Sequence, residues 1–112
     1  MTNYKTGDIL LLIFPYSNLN GSKKRPAIVC KDTGDSDVIV ARITSSKPKD
    51  IYDWNIVDWK NSGLLVPSTI RIHKIATLDK QLIDKQLGYL SAKDLITLKN
   101  ALANFWIHIT TD

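Results

Sequence analysis

Short apolar runs, each ended by a proline, a glycine or a polar turn, constrain the fold of this chain more than any other feature. The clearest run covers residues 9–14 and stops at Pro15. It is too short for most helices and too continuously apolar for a strand with one solvent-exposed face, so it predicts a strand covered on both faces. Similar segments recur along the chain, which predicts a mainly β domain.

Polar residues stand at the ends of several of these segments. Residues 25–31 predict a second strand, and residues 38–45 predict a third strand in which Arg42 and Thr44 share a face with two valines. Polar side chains at the end of an apolar face indicate a strand that leaves the core and enters a groove. Alternation over residues 68–75 predicts another strand with Arg71 and His73 on one face, and its phase breaks at 74–75, which indicates a bulge or the strand end.

The last part of the chain is less regular until a clear helix begins. Residues 52–56 predict a short strand with aromatic side chains on one face, and residues 78–90 predict a short helical turn followed by an extended piece near Gly88. Ser91 with Asp94 three positions later is typical of a helix N-cap, and leucines at helical spacing predict an amphipathic helix that ends near Trp106. We therefore predict one domain over residues 1–112, with five or more strands in a strongly bent sheet or small barrel and a C-terminal helix.

Composition limits the classes of function. The net charge of +4 favours an anionic partner such as RNA, DNA or an acidic peptide. The single cysteine, Cys30, excludes an intramolecular disulfide, and two widely separated histidines give no recognisable metal site. Without a signal-like or membrane-length apolar segment, we expect a cytoplasmic protein that uses no membrane, metal or cofactor.

A basic turn leads into the second strand. Gly21 permits unusual backbone angles, and Pro26 suits the first residue of a strand and pushes Arg25 toward extended geometry. Arg25 is thus predicted at the junction of a mobile loop and the sheet. A solvated basic hairpin is the simpler reading of composition alone.

The polar strand ends together suit a phosphodiester. RNA cleavage without a metal requires deprotonation of the 2′-hydroxyl, stabilisation of charge on the phosphoryl oxygens, and protonation of the leaving 5′-oxygen. Arg25 and Thr44 suit the second role, and His73 is the natural proton carrier because imidazole changes charge near neutral pH. Arginine stays protonated there, so Arg25 and Arg71 suit electrostatic roles better than acid catalysis.

At this point the sequence resembles the PemK/MazF family of toxin endoribonucleases. The likeness covers almost the whole chain in the right order, over residues 7–9, 14–15, 24–29, 41–45, 58–59, 63–64, 67–68, 70–71, 74–78 and 87–91. It implies an SH3-like barrel that forms a homodimer and cuts single-stranded RNA without metal. It also implies a cognate antitoxin whose acidic, largely disordered segment lies across the RNA site.

The resemblance extends to individual residues. Arg25 and Thr44 match an arginine and a threonine of the family's site, and Arg71 matches an arginine that some members use. His73 stands where those members have an acid that is proposed as the base. Candidate RNA contacts, from charge, the matched motif and a polar hairpin, are Lys23, Lys24, Arg42, Ser45 and Trp54.

Two alternatives from other functional classes remain open. A relative of the same fold poisons DNA gyrase through a Trp-Gly-Ile tip, but Trp106-Ile107 here lacks the glycine and is followed by five further residues. The change at His73 also leaves open a module that binds RNA without cleaving it. The leading hypothesis is RNA cleavage that leaves 2′,3′-cyclic phosphate and 5′-hydroxyl ends.

Overall fold

Six antiparallel strands and a C-terminal helix form the protein in the computed structural model, which describes residues 2–15 and 22–112. The elements are β1 (Asp8–Pro15), β2 (Ser22–Lys31), β3 (Asp37–Thr44), β4 (Asp53–Asn55), β5 (Thr69–Asp79), β6 (Ile83–Tyr89) and α1 (Ala92–Thr111). Two 3₁₀ turns cover Trp59–Ser62 and Lys80–Leu82. The predicted mainly β fold with a terminal helix is confirmed.

The sheet is bent but open. Its strand order is β4-β5-β3-β2-β1-β6, and β4 is not paired with β6 within the described residues. A 3₁₀ turn rather than a strand approaches β6 at this seam, so closely that a Cβ added at Gly63 would overlap the carbonyl oxygen of Leu87. The expected barrel therefore needs correction, because the very short β4 gives way to a turn before it can close the sheet.

Apolar residues pack on both faces of the sheet. On one face Ile9 belongs to a core that α1 covers, and on the other face Leu10 and Leu12 pack with buried residues of β2 and β3. This confirms that β1 is covered on both faces. The second face carries the smaller core, which consists of Leu10, Leu12, Ala27, Val29, Val38 and Val40.

A bulge interrupts β5 where its apolar pattern loses phase. Ala41 of β3 lies opposite Ile75, but the next residue, Arg42, lies opposite Arg71, so residues 72–74 have no partner on β3. The predicted phase break is thus a bulge and not the strand end, because β5 continues to Asp79. The predicted helical turn near residue 80 is confirmed, and β6 is a full strand where the sequence predicted only a short extended piece.

Helix α1 begins at the predicted cap. The Asp94 N–H donates to Ser91 Oγ at 3.2 Å, and the buried Asp94 carboxylate also accepts the N–H groups of Val57 and Asp58 at 3.0 and 2.8 Å. The helix continues past Trp106 to Thr111, beyond its predicted end. Within the described chain, no helix is both long and apolar enough to cross a membrane.

Candidate nucleic-acid interface

The second strand starts earlier than its sequence predicts. Of the predicted mobile basic turn, Gly21 lies outside the described residues, and residues 22–24 belong to the strand and not to a loop. Because β2 begins at Ser22, Pro26 lies inside the strand opposite Leu11, and its placement as the first strand residue was wrong. Proline is tolerated there because β3 pairs with β2 only from Ala27 onward, which leaves the preceding residues with one neighbouring strand.

A groove opens where β2 and β3 separate. Their ladder ends at the pair Ala27–Arg42, and the same register continued would place Arg25 opposite Thr44. Instead, Arg25 pairs with Leu12 of β1, and Thr44 pairs with Thr69 of β5. We call the resulting cavity of about 440 Å³ the strand-separation groove. Its lining residues are Leu11, Lys24, Arg25, Pro26, Ile43, Thr44, Ser45, Gly63, Leu64, Leu65, Val66, Ser68, Lys85 and Leu87.

The polar groups of this groove are donors suited to an anion. Arg25 and Lys85 form no ion pair with a described residue, and the ion pair of Lys24 with Asp84 at 3.3 Å is solvent-accessible and therefore weak. Thr44 Oγ1 accepts the N–H of Ser46 at 3.2 Å, which leaves its own hydroxyl hydrogen free to donate. No acid is found among the described lining residues. Arg25 and Thr44 thus line a common space, and a guanidinium and a hydroxyl are donors suited to a phosphodiester.

Arg71 and His73 do not line the strand-separation groove. Arg71 donates from Nε to Asp53 Oδ1 at 3.2 Å and approaches Asp50 at 3.7 Å, and His73 Nε2 lies 3.5 Å from the same Asp50 carboxylate. Arg71 lies between Arg42 of β3 and Asp53 of β4, whereas His73 lies in the bulge and has no partner on β3. The structure therefore divides the four predicted catalytic residues into two groups, with Arg25 and Thr44 in one and Arg71 and His73 in the other.

The second group is an ion-pair cluster with a buried carboxylate. The Asp53 side chain is only 2% exposed. Burial alone would raise the pKa of Asp53, but the Lys49 N–H at 2.9 Å, the Arg71 guanidinium and the nearby His73 outweigh it and hold that pKa below its ordinary value. Ligand atoms of Asp50, Asp53 and His73 lie within 4.8 Å of one another, yet Arg71 pairs with both carboxylates and offsets one of their two negative charges, which weakens the attraction for a metal ion.

Aromatic rings connect this cluster to the end of α1. The His73 ring lies 5.4 Å from that of Tyr52, whose hydroxyl is 3.2 Å from His108 Nδ1. Tyr52 also packs edge-on against Phe105 at 5.3 Å. The cluster and its aromatic neighbours thus hold the β4 region against β5 and the helix.

A second cavity lies on the other side of Arg25. This Arg42 cavity has a volume of about 370 Å³ and is lined by Arg25, Pro26, Ala27, Val40, Arg42, Lys74, Ile75, Ala76 and Leu78. Sequence reasoning missed Lys74 here and Lys85 in the groove. The bulge was a usable signal for Lys74, whereas nothing in the weak pattern of β6 identified Lys85.

The remaining predicted contacts lie outside both cavities. Lys23 is exposed on the ribbon formed by β1 and β2, and Trp54 is 39% exposed on β4. Trp59 packs against the larger core.

Comparison with known proteins identifies the family. Residues 5–106 match the family model of the PemK-like, MazF-like toxins of type II toxin–antitoxin systems. No curated protein sequence matches the chain significantly.

Solved structures show the same fold. An endoribonuclease in complex with its cognate antitoxin, from mycobacterial species, superposes with a TM-score of 0.72 at 16% identity, covering 88% of this chain and 90% of that chain. An endoribonuclease from mycobacterial species gives a TM-score of 0.72 at 17% identity over 93% and 91% of the two chains. The Mycobacterium tuberculosis toxin MazF-mt6 gives a TM-score of 0.67 at 22% identity over 85% and 93%. The chain therefore belongs to the PemK-like, MazF-like toxins of type II toxin–antitoxin systems.

Proposed function

We propose that this toxin is an endoribonuclease that cleaves single-stranded RNA at the strand-separation groove without a metal ion. The observation that carries the proposal is that Arg25 of β2 and Thr44 of β3 line one groove, which no described acid lines. Membership of the toxin family and the endoribonuclease names of its structural relatives support it.

The proposed reaction is an internal transfer at phosphorus. The 2′-oxygen loses its proton and attacks the adjacent phosphorus, the bond to the 5′-oxygen breaks, and that oxygen takes up a proton. The products are a 2′,3′-cyclic phosphate and a 5′-hydroxyl. The Arg25 guanidinium and the Thr44 hydroxyl donate to the non-bridging oxygens, where negative charge increases in the transition state.

His73 remains the proposed proton carrier, with Arg71 as an electrostatic partner. Both residues pair with the carboxylates of Asp50 and Asp53 outside the groove, so this role requires the ion pairs to open when RNA binds. A pH–rate profile tests it: His73→Gln flattens one limb of the profile if the imidazole carries a proton, and leaves the shape unchanged otherwise.

The proposed partners follow from charge and family. The cations of the groove suit an acidic segment of an antitoxin as well as RNA, and one structural relative is described in complex with its cognate antitoxin. We propose such an antitoxin, a homodimer and a cytoplasmic site of action for this toxin.

The test is cleavage of a long single-stranded RNA by the purified protein in EDTA, with fragment ends identified. We expect Arg25→Ala to lower the rate by about 100-fold or more, the usual cost of removing a donor to a developing oxyanion. Thr44→Val removes a neutral donor and costs less, on the order of 10-fold. Lys31→Ala, an exposed cation at the far end of β2, is the matched control and retains activity.

The outcomes separate the functional classes. Cleavage that needs a divalent metal, or that Arg25→Ala leaves unchanged, contradicts the proposal. If the protein binds RNA without cutting it, it is a module that binds RNA without cleavage. A protein that neither binds nor cuts RNA would point to a protein target such as gyrase.

A further inference from the structure

We propose that the Arg42 cavity binds one unpaired base of the RNA strand, next to the phosphate held by Arg25. This inference rests on the proposed function and adds a base-binding subsite to it. The subsite uses Arg42, Lys74 and the apolar floor between them, and it lies outside the groove in which the chemistry takes place.

The floor of the cavity is apolar surface without a partner among the described residues. Ala27 and Val40 form its buried base, and Ala76 and the 39% exposed Ile75 form a wall on β5. The flat face of any nucleobase can cover such a surface, because all bases have an apolar π face.

The rim of the cavity carries uncompensated positive charge. Arg25, Arg42 and Lys74 form no ion pair with any residue that the structure describes, and no described acid lines the cavity. Clustered like charges favour an anionic ligand. An arginine fork also binds the acceptor edge of a base or stacks on its ring, so Arg42 suits the base and Lys74 suits the phosphate that follows.

Continuity with the groove assigns the ligand to the same strand of RNA. Arg25 and Pro26 line both cavities, so a phosphate bound by Arg25 has the strand-separation groove on one side and the Arg42 cavity on the other. At about 370 Å³, the cavity is at the small end of ligand sites and suits a single nucleotide rather than a folded partner.

A filling substitution tests the subsite directly. Ala76→Trp blocks the cavity from an exposed position, whereas Thr77→Trp adds the same side chain at the next exposed residue, which pairs with Ile39 rather than Val40 and does not line the cavity. Lys74→Gln removes a rim charge without changing the floor. Thermal melting of each variant verifies folding.

The probe is a short single-stranded RNA made uncleavable by 2′-O-methylation. Its sequence is taken from the mapped cleavage site, or from the most tightly bound segment of the long RNA if no cleavage occurs. Each base is replaced in turn by an abasic residue, and binding is measured by fluorescence anisotropy. For the wild type we expect one position next to the Arg25-bound phosphate to weaken binding roughly 5-fold when its base is removed.

The variants decide the inference separately from the proposed function. Ala76→Trp should weaken binding of the intact probe roughly 5-fold and abolish the effect of the abasic residue, while Thr77→Trp keeps both unchanged. If Ala76→Trp and Thr77→Trp behave alike while the wild type cleaves RNA, the inference fails and the proposed function stands.

Two further results complete the test. Base-dependent binding that Ala76→Trp removes, in a protein that cuts no RNA, would refute the cleavage but support the subsite. If Ala76→Trp loses binding to an acidic antitoxin peptide but still binds RNA as the wild type does, the cavity belongs to the antitoxin and the inference is overturned.

Discussion

Substitution of Arg71 by alanine tests whether this residue is primarily structural. Its Nε donates to the carboxylate of Asp53, which is 2% exposed, while its own side chain is 23% exposed. Removing one partner of a buried ion pair costs about 3–5 kcal/mol because it leaves an uncompensated buried charge. Asp53 keeps the hydrogen bond from the Lys49 N–H, and water reaches the space left by Arg71.

These two features reduce the expected loss of unfolding free energy to about 2–3 kcal/mol. The solvent-accessible contact with Asp50 adds less than about 0.5 kcal/mol. For a denaturant slope of about 1–1.5 kcal/mol per M in urea, the midpoint of unfolding falls by roughly 2 M. Arg42→Ala is the matched control, because Arg42 lies opposite Arg71, is exposed and has no described ion-pair partner. We expect it to change stability by less than about 0.5 kcal/mol.

The pH dependence gives a second test of the same ion pair. The folded-state pKa of Asp53 is lowered, so the stability that its pairing contributes is present above the unfolded pKa of about 3.9 and is lost as the pH falls through the folded pKa. The difference in stability between wild type and Arg71→Ala is therefore full at pH 7 and narrows below about pH 4.

Equilibrium urea unfolding at pH 7 and pH 3 measures these differences. Asp53→Asn in the Arg71→Ala background removes the unpaired charge and keeps an acceptor for Lys49, so it should restore on the order of 1–2 kcal/mol. Full stability of Arg71→Ala, or no recovery in the double variant, would refute the reasoning. Full stability with lost RNA cleavage would instead assign Arg71 a catalytic role.

Three further predictions concern the stability and reactivity of the fold. Asp94→Asn should lower stability by about 2–3 kcal/mol in thermal unfolding, because an amide replaces one of the charged oxygens that accept the N–H groups of residues 57–58. Gly63→Ala should cost more than about 3 kcal/mol by the same assay, since φ is +90° and the new Cβ would meet a carbonyl of β6; Gly34→Ala, at φ +94° with open space around it, should cost only about 1–2 kcal/mol. Burial raises the pKa of Cys30 to about 12, so its reaction with a disulfide reagent in the native protein should be far slower than in urea, and equal rates would contradict its burial.

Local periodicity predicted most of the elements but not how they turn relative to one another. The run at residues 9–14, the alternation in β3 and the cap at Ser91 each follow from spacing, and the structure has all three. The phase break at residues 74–75 indicated a bulge, yet it could not show that three residues lack partners on β3. Arg71 and His73 lie with the acids beside β4 because of the length of this bulge and because of long-range contacts. Neither can be read from a local sequence pattern.

The same distinction applies to the site. Arg25 and Thr44 line one groove, as expected for polar ends of neighbouring strands, because each lies just beyond the last β2–β3 pair. Lys85 was missed because its strand alternates weakly. The closure of the sheet was overestimated because it depends on the length of β4, which tertiary contacts determine.

Pro26 explains why the groove exists at all. The carbonyl oxygen of Val29 accepts the N–H of Gly7 on the β1 side, so alternation along the strand directs the backbone groups of Ala27 toward β1 and those of Pro26 toward β3. Proline has no N–H to donate, so the β2–β3 ladder would lose a hydrogen bond if it continued in register past Ala27, and it ends there. Each strand then follows its other neighbour, and the space between them opens beside the residue whose conformation Pro26 restricts, Arg25. One proline thus ends the ladder, opens the groove and fixes the backbone of the arginine proposed to act there.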